Sequence, residues 1–211
     1  MVKIFTYSFN DINSFILHFP KSVNRSCFKN KYYLMKLKKF KFKKVKSTNN
    51  TAIRIIKETK YNLGMVIAET QVNGRGQYGR KWISLKGNLF ISFFNELNKT
   101  KLSINTITKI NCLLVKKLLS LFTSKKILFK KPNDLLIDKK KISGILQEVI
   151  FIRGKKFLIT GIGINIKKNP IIRSYPATNL QEVTKKSISK LIVENKLKQL
   201  FEKNLSKLYK N

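Results

Sequence analysis

The stretch Gly74-Arg75-Gly76-Gln77-Tyr78-Gly79-Arg80-Lys81-Trp82 gathers three of the chain's nine glycines and two of its six arginines. Those residue types suit an anion. Glycine lets backbone approach a phosphate or carboxylate closely, and a guanidinium can grip such a group with two parallel N–H donors. The pattern contains G-x-G-x-x-G, but a dinucleotide turn must open a helix whose amides face the pyrophosphate. Here "RKWISLKGNLFISFF" follows, with Trp82, Ile83 and Gly87 ahead of an aromatic run, so that reading fails on context. No G-x-x-x-x-G-K-[ST] occurs either. What remains is a flexible glycine loop between two strands that can fold over an anion. Trp82 is placed to stack on a planar ring or to wedge the loop base into the core.

Other residues could share such chemistry. Pro132-Asn133-Asp134 forms a rigid turn, "KKKISG" ends at Gly144, and "GIGIN" brings Gly161 and Gly163 close to Asn165. Ser47 and Thr48 stand where a helix would be N-capped. His18 is the single histidine, which excludes a Ser-His-Asp triad and a His-rich metal site. Cys27 and Cys112 are far apart and lack ligand spacing, as in a reduced, cytoplasmic protein. The chemistry therefore rests on Arg, Lys, Asp, Asn, backbone amides and, at most, a hard cation.

A formal charge of +35 would ordinarily point to nucleic acid. The basic residues, however, are 39 Lys and 6 Arg, and Lys, Asn, Ile and Phe are abundant together. All four have A/T-rich codons, so the charge is attributed to genome bias, with no specific nucleic-acid partner. A nonenzymatic nucleic-acid-binding protein stays as the least favoured reading. No run of eighteen apolar residues occurs, so no membrane span is expected.

The elements that must carry these groups are legible. Alternating Leu37, Phe40, Phe42 and Val45 read as a strand, followed by a helix with Ala52, Ile55, Ile56 and Thr59 inward. Strands follow from Gly64 and over 88–97, then a helix over 105–122 with Ile107, Ile110, Leu114, Leu118, Leu119 and Phe122 in one stripe. "ILFKKPNDLLID" gives two short strands around a break, and two long strands meet at Arg153-Gly154. A polar loop with Pro170 and Pro176 leads to a last helix over 187–210, with Leu191, Ile192, Leu200, Phe201, Leu205 and Leu208 inward. Short turns between strands imply an α+β fold: a mixed, largely antiparallel sheet backed by helices on one side. Residues 1–36, which differ in composition, read as an uncertain N-terminal extension to a domain over 37–211. Because "MKLKKFKFKK" at Met35 resembles a natural start, a mis-called start is preferred to a targeting or extra structural element.

The segment "AETQVNGRGQYGRKWIS", Ala68 to Ser84, resembles the biotin-binding loop of biotin protein ligases. "STNN" before it, and "KPNDLLIDKKKISGILQE" and "GIGINI" after it, follow the family's order. Together the blocks span roughly residues 37–182. The resemblance implies a catalytic domain similar to class II aminoacyl-tRNA synthetases and lipoate ligases. It implies activation of biotin with ATP as biotinyl-5′-AMP, with Mg²⁺. The biotin then passes to one lysine of a biotin carboxyl carrier protein, an acetyl-CoA carboxylase subunit or a related carboxylase. A lipoate or octanoate ligase or transferase of the same fold is the alternative.

By the same resemblance, Arg75 and Lys141 neutralise the reacting anions, with Lys140 as the other register. Asp134 serves as base for the incoming lysine. Ser47, Thr48, Gln71, Gly74 and Gly144 hold biotin, with Arg75 and Lys141. Arg80, Trp82, Asn133, Gly161 and Asn165 hold ATP. Gln77 stands where the loop pattern has a second arginine, and Lys131 where the P-N-D turn usually follows Trp. Neutral Gln77 is expected to hold the adenylate less firmly. Neither the family's small C-terminal β-barrel nor a winged helix is expected, and the oligomeric expectation is a monomer or weak homodimer.

Overall fold

The structure, a computed structural model, describes residues 36–97, 103–172 and 175–208. The N-terminal extension apart from Lys36, with His18 and Cys27, lies outside them, as do Arg173 and Ser174. The first strand, β1 (Lys38–Val45), leads through helix α1 (Thr48–Glu58) to β2 (Leu63–Gln71), which pairs with it in parallel. Every other pairing is antiparallel: β3 (Leu89–Glu96), β4 (Ile127–Lys130), β5 (Asp134–Ile137), β6 (Lys140–Ile152) and β7 (Lys155–Ile164) complete a seven-stranded sheet in the order β1-β2-β3-β7-β6-β5-β4. Helix α2 (Ile104–Leu119) precedes β4, and α3 (Leu180–Thr184) and α4 (Lys190–Leu208) follow β7. The mixed, largely antiparallel sheet backed by helices is thus as expected. Among the described residues no helix is long and apolar enough to cross a membrane.

The helices, however, cover both faces rather than one. Ala52, Ile55 and Ile56 of α1 bury against Val66, Phe94, Phe157 and Ile159. The opposite face of the same strands offers Met65, Ile67, Ile91 and Phe93 to α2, α3 and α4. The apolar runs Met65–Ala68 and Phe93-Phe94 explain this. Neighbouring strand residues point to opposite faces, so an unbroken apolar run needs cover on each.

The last helix also differs from its expected face. It begins at Lys190, and the polar loop before it contains α3, capped by the Asn179 side chain, which accepts from the Glu182 N–H. Its buried stripe is Val193, Leu197, Phe201 and Leu205, while Leu191 and Ile192 are about half exposed. Spacings of four set that stripe, and Leu191 and Ile192 fall outside it. Phe201 stacks on Phe93 with ring centroids 3.8 Å apart. At the first helix Ser47 is the N-cap residue, but its side chain makes no capping hydrogen bond.

Two features position the site. The β6–β7 turn uses Arg153 and Gly154 at φ 51° and 70°, the left-handed pair of a tight hairpin, and this sets Gly144 directly opposite Gly163. Asn88, fully buried ahead of β3, accepts with Oδ1 from the N–H groups of Ile166, Lys167 and Lys168 at 2.9, 3.0 and 3.2 Å. Its Nδ2 donates to the Lys168 carbonyl at 2.7 Å. Backbone bonds from Leu180 N–H to Asn165 O and from Gln181 N–H to Ile166 O close the base of this strap.

Removing the Phe201 ring leaves a cavity beside Phe93, so Phe201→Ala should cost about 3–5 kcal/mol in denaturant unfolding. Leu191→Ala and Ile192→Ala should each stay within about 0.5 kcal/mol of wild type.

Candidate active site

One cavity of about 360 Å³ opens where α1, the glycine loop and the β5–β7 strands converge. That is at the lower end of small-molecule sites, which run from roughly 300 to 1,000 Å³. Ser47, Thr48 and Asn49 bring the N-terminus of α1 to its wall, a place where unpaired amides favour negative charge. Gln71 fixes that corner. Its Oε1 accepts from the Thr48 N–H at 2.8 Å and the Thr48 hydroxyl at 3.0 Å, and its Nε2 donates to Ser84 Oγ at 3.0 Å.

The glycine loop is a small hairpin. Trp82 N–H donates to Gly74 O at 2.8 Å and Gly76 N–H to Arg80 O at 2.6 Å, with Tyr78 and Gly79 in the left-handed region at the tip. Gly74 is needed for this closure: a Cβ there would lie 2.5 Å from the Trp82 carbonyl oxygen. The Trp82 indole lies on a floor made by two opposed glycines. A Cβ on Gly163 would sit 2.4 Å from the indole ring, and one on Gly144 would sit 2.8 Å from it. Gly161 in turn receives the Asn49 side chain, whose Oδ1 is 2.3 Å from where a Cβ would be.

The wall is strongly basic. Arg75, Arg80, Lys81, Lys130, Lys131, Lys139 and Lys141 line it, and among the described lining residues Asp134 is the one carboxylate. Lys141 Nζ is 2.8 Å from Asp134 Oδ1, 5.4 Å from the centroid of Trp82 and 5.0 Å from that of Tyr175. An ammonium is thus held by one carboxylate and two aromatic rings. Burial and the Asp134 charge push the Tyr175 hydroxyl above its usual range, against the opposing pull of Arg80. Behind the site, burial and then Asp134 raise the Cys112 thiol to about 12, so this cysteine is a core residue rather than a nucleophile. Arg75 Nε and Trp82 Nε1, in the cavity wall, are buried donors without a hydrogen-bond partner among the described residues. Unsatisfied donors are costly unless a ligand or water takes them.

Residues 41–165 match the biotin/lipoate A/B protein ligase family. The chain belongs to that family. It is 33% identical over 124 residues to the bifunctional ligase/repressor BirA of Escherichia coli, covering 58% of this chain and 38% of that protein. Among solved structures it is similar to the biotin protein ligase of Aquifex aeolicus in complex with biotin and ATP. That similarity has 32% identity and a TM-score of 0.68, covering 81% of this chain and 71% of the other. It is also similar to the Leishmania major biotin protein ligase in complex with biotin, at 26% identity and TM-score 0.69, covering 78% and 73%. The chain spans well under half the length of the E. coli relative.

The family's motif blocks meet at one place. Ser47, Thr48, Gln71, Arg75, Arg80, Trp82, Asn133, Asp134, Lys141, Gly144 and Gly161 all line the cavity. Between the two lysines, Lys141 faces inward, whereas exposed Lys140 pairs with Glu182 at 3.4 Å. Two expected residues do not line the cavity. Gly74 serves the hairpin, and Asn165 is buried with Nδ2 donating to Thr178 O at 3.0 Å and Oδ1 accepting from Asn88 at 3.4 Å. Asn133 reaches the wall while its Nδ2 donates to Ile145 O at 2.6 Å, clamping the turn to β6. Residue reading missed Tyr175, Asn49 and Glu148. Asn49 and Glu148 lie inside the quoted motif blocks, whereas nothing marks Tyr175 in its polar loop.

Among the described residues no cluster of three His, Cys, Asp or Glu could hold a metal ion. Asp134, already engaged by Lys141, does not by itself make a resident Mg²⁺ site.

Because Trp82 is the chain's single tryptophan, its emission reports on this seat alone. Gly163→Ala should lift the indole off its floor and shift the emission to longer wavelength in a protein that still unfolds cooperatively. An unchanged spectrum would contradict the described seat.

Proposed function

We propose that the chain activates biotin with ATP to form biotinyl-5′-AMP and transfers the biotinyl group to a lysine of a biotin carboxyl carrier domain. The observation that carries this reading is the convergence of Arg75, Lys141 and the α1 N-terminus on one cavity with unsatisfied donors. What the A. aeolicus and L. major relatives are recorded to bind supports the choice of substrates.

The chemistry suits the groups present. A carboxylate is ionised at neutral pH, so attack on the α-phosphorus needs no general base. It needs relief of repulsion between two anions, which fixed cations supply without reorganisation. Arg75 and Lys141 take the carboxylate and the α-phosphate, and pyrophosphate leaves. Ser47, Thr48 and Gln71 form the polar end of the biotin slot. Gly144 and Gly161 supply close approach along its wall and beside the nucleotide. Trp82 leaves its glycine seat to stack on the adenine, with Arg80 and Asn133 on the phosphates. Asn165 acts from behind by holding the strap. Mg²⁺ enters with the nucleotide as part of the substrate.

In the second step the acceptor lysine, with an unperturbed pKa of about 10.4, must lose a proton. Asp134, released from Lys141 once the adenylate engages that ammonium, accepts it. The amine then attacks the biotinyl carbonyl, forming the amide while AMP leaves. A cytoplasmic setting provides ATP and the carrier.

Incubating the protein with ATP, Mg²⁺, biotin and a carrier domain should add one biotinyl group to the carrier, read by mass. Modification only when lipoate replaces biotin would move the chain to the other branch of its family. Arg75→Ala should raise the KM for biotin by about ten-fold or more, the scale of a lost charge-assisted hydrogen bond. Gln77→Arg should slow adenylate release, measured by trapping labelled adenylate on the enzyme. Equal release rates would contradict the expectation attached to the neutral side chain.

A further inference from the structure

Glu148 lies on β6, just behind the cavity wall. Its Oε2 accepts from Arg75 Nη2 at 2.5 Å and from Asn49 Nδ2 at 2.6 Å. Asn49 is itself fixed. Its Oδ1 accepts from Ser92 Oγ at 2.5 Å, and its side chain lies over Gly161. One carboxylate oxygen therefore ties three separate elements, α1, the glycine loop and β6, through a chain that ends at buried Ser92 on β3.

We propose that Glu148 is a positioning residue for Arg75: anchored by Asn49, it clasps the guanidinium at the cavity wall so that the remaining donors are oriented for the ligand's carboxylate before the ligand arrives. This rests on the biotin-activating reading above. Three physical points carry it. The first is donor count. Glu148 occupies Nη2, while Nε is buried at the wall without a partner among the described residues. A guanidinium has five N–H donors, so holding one edge leaves others for an anion.

The second is entropy. A free arginine carries about 2 kcal/mol of rotamer freedom, which binding must otherwise remove. The loop tip gives no such support, since Tyr78 is 84% exposed. The third is charge placement. Asp134 is the carboxylate inside the wall, whereas Glu148 is not among the lining residues. It can offset the Arg75 charge from behind without setting a second carboxylate against the ligand's own.

The test uses the full chain as wild type, Glu148→Ala, Glu148→Gln, Arg75→Ala and the Glu148→Ala/Arg75→Ala double variant, each checked for cooperative unfolding. Biotin-dependent exchange of labelled pyrophosphate into ATP gives KM and kcat. Glu148→Ala should raise the KM for biotin about ten-fold while kcat changes less than about three-fold, because ground-state holding is lost. Glu148→Gln keeps an acceptor oxygen and should recover most of the affinity, which also guards against a folding defect in the alanine variant. The double variant should match Arg75→Ala, since a clasp without its guanidinium has nothing to hold.

A second readout needs no ligand. Phenylglyoxal should label Arg75 faster in Glu148→Ala than in wild type, followed by peptide mass mapping. Wild type without exchange on biotin would sink the functional reading, and the labelling rate would then judge the clasp alone. The proposal is overturned if Arg75 labels at the same rate in both proteins. It is equally overturned if the KM in Glu148→Ala is unchanged, if it falls, which would make Glu148 a competitor, or if the two single effects multiply in the double variant.

Discussion

Like charge is the constraint on which this molecule turns. Among the described residues seven basic side chains line one cavity, with Asp134 alone against them in the wall. Two unit charges 4 Å apart cost or gain about 4 kcal/mol at an effective dielectric of 20. Exposed Arg80, Lys81, Lys130, Lys131 and Lys139 can be screened by water, whereas the two less exposed cations are held by partners. Asp134 and two aromatic faces hold Lys141, and Glu148 holds Arg75. The remaining positive potential is what a polyanionic nucleotide and a carboxylate would discharge. The sheet supplies rigid walls, and the charge supplies the reason for the cavity to be filled.

Glycine provides the geometric counterpart. In the sheet, Gly144 and Gly163 face each other across β6 and β7 and together make a bare patch. Trp82 lies on that patch, and Asn49 uses the space over Gly161. Any side chain at these points would push loop or helix away from the strands. The absence of Cβ at Gly144 and Gly163 therefore seats a planar side chain flat on the strands.

Much of this was legible from residue order. Scarce Arg and Gly marked the loop, and the quoted motif blocks named eleven residues that do line one cavity. Periodicity located the strands and the main helices. It failed where a local pattern has two physical explanations. Leu191 and Ile192 looked inward because they are apolar, yet the stripe through Val193, Leu197, Phe201 and Leu205 wins by burying more surface. Helices were placed on one side because short turns suggest an open face, while the apolar runs in β2 and β3 required cover on both. Asn165 looked like a ligand contact, but an amide that can bind phosphate can equally bind a carbonyl, and here it binds Thr178. Tyr175 and Glu148 matter through partners distant in sequence, which spacing cannot reveal.

The first residues of the strap that carries Tyr175 share one acceptor among their attachments. Three consecutive amides, those of Ile166, Lys167 and Lys168, converge on Asn88 Oδ1. From the strap these three bonds take main chain only, while the Asn165 side chain and buried Ile166 hold the same segment by contacts of their own. Length matters to all of them. Adding or removing one residue between Ile164 and Lys168 would slide every amide past its acceptor, and Asn165 would lose its grip on Thr178 at the same stroke. Composition is therefore free to drift only at exposed Lys167 and Lys168, while the residue count is frozen as far as Lys168.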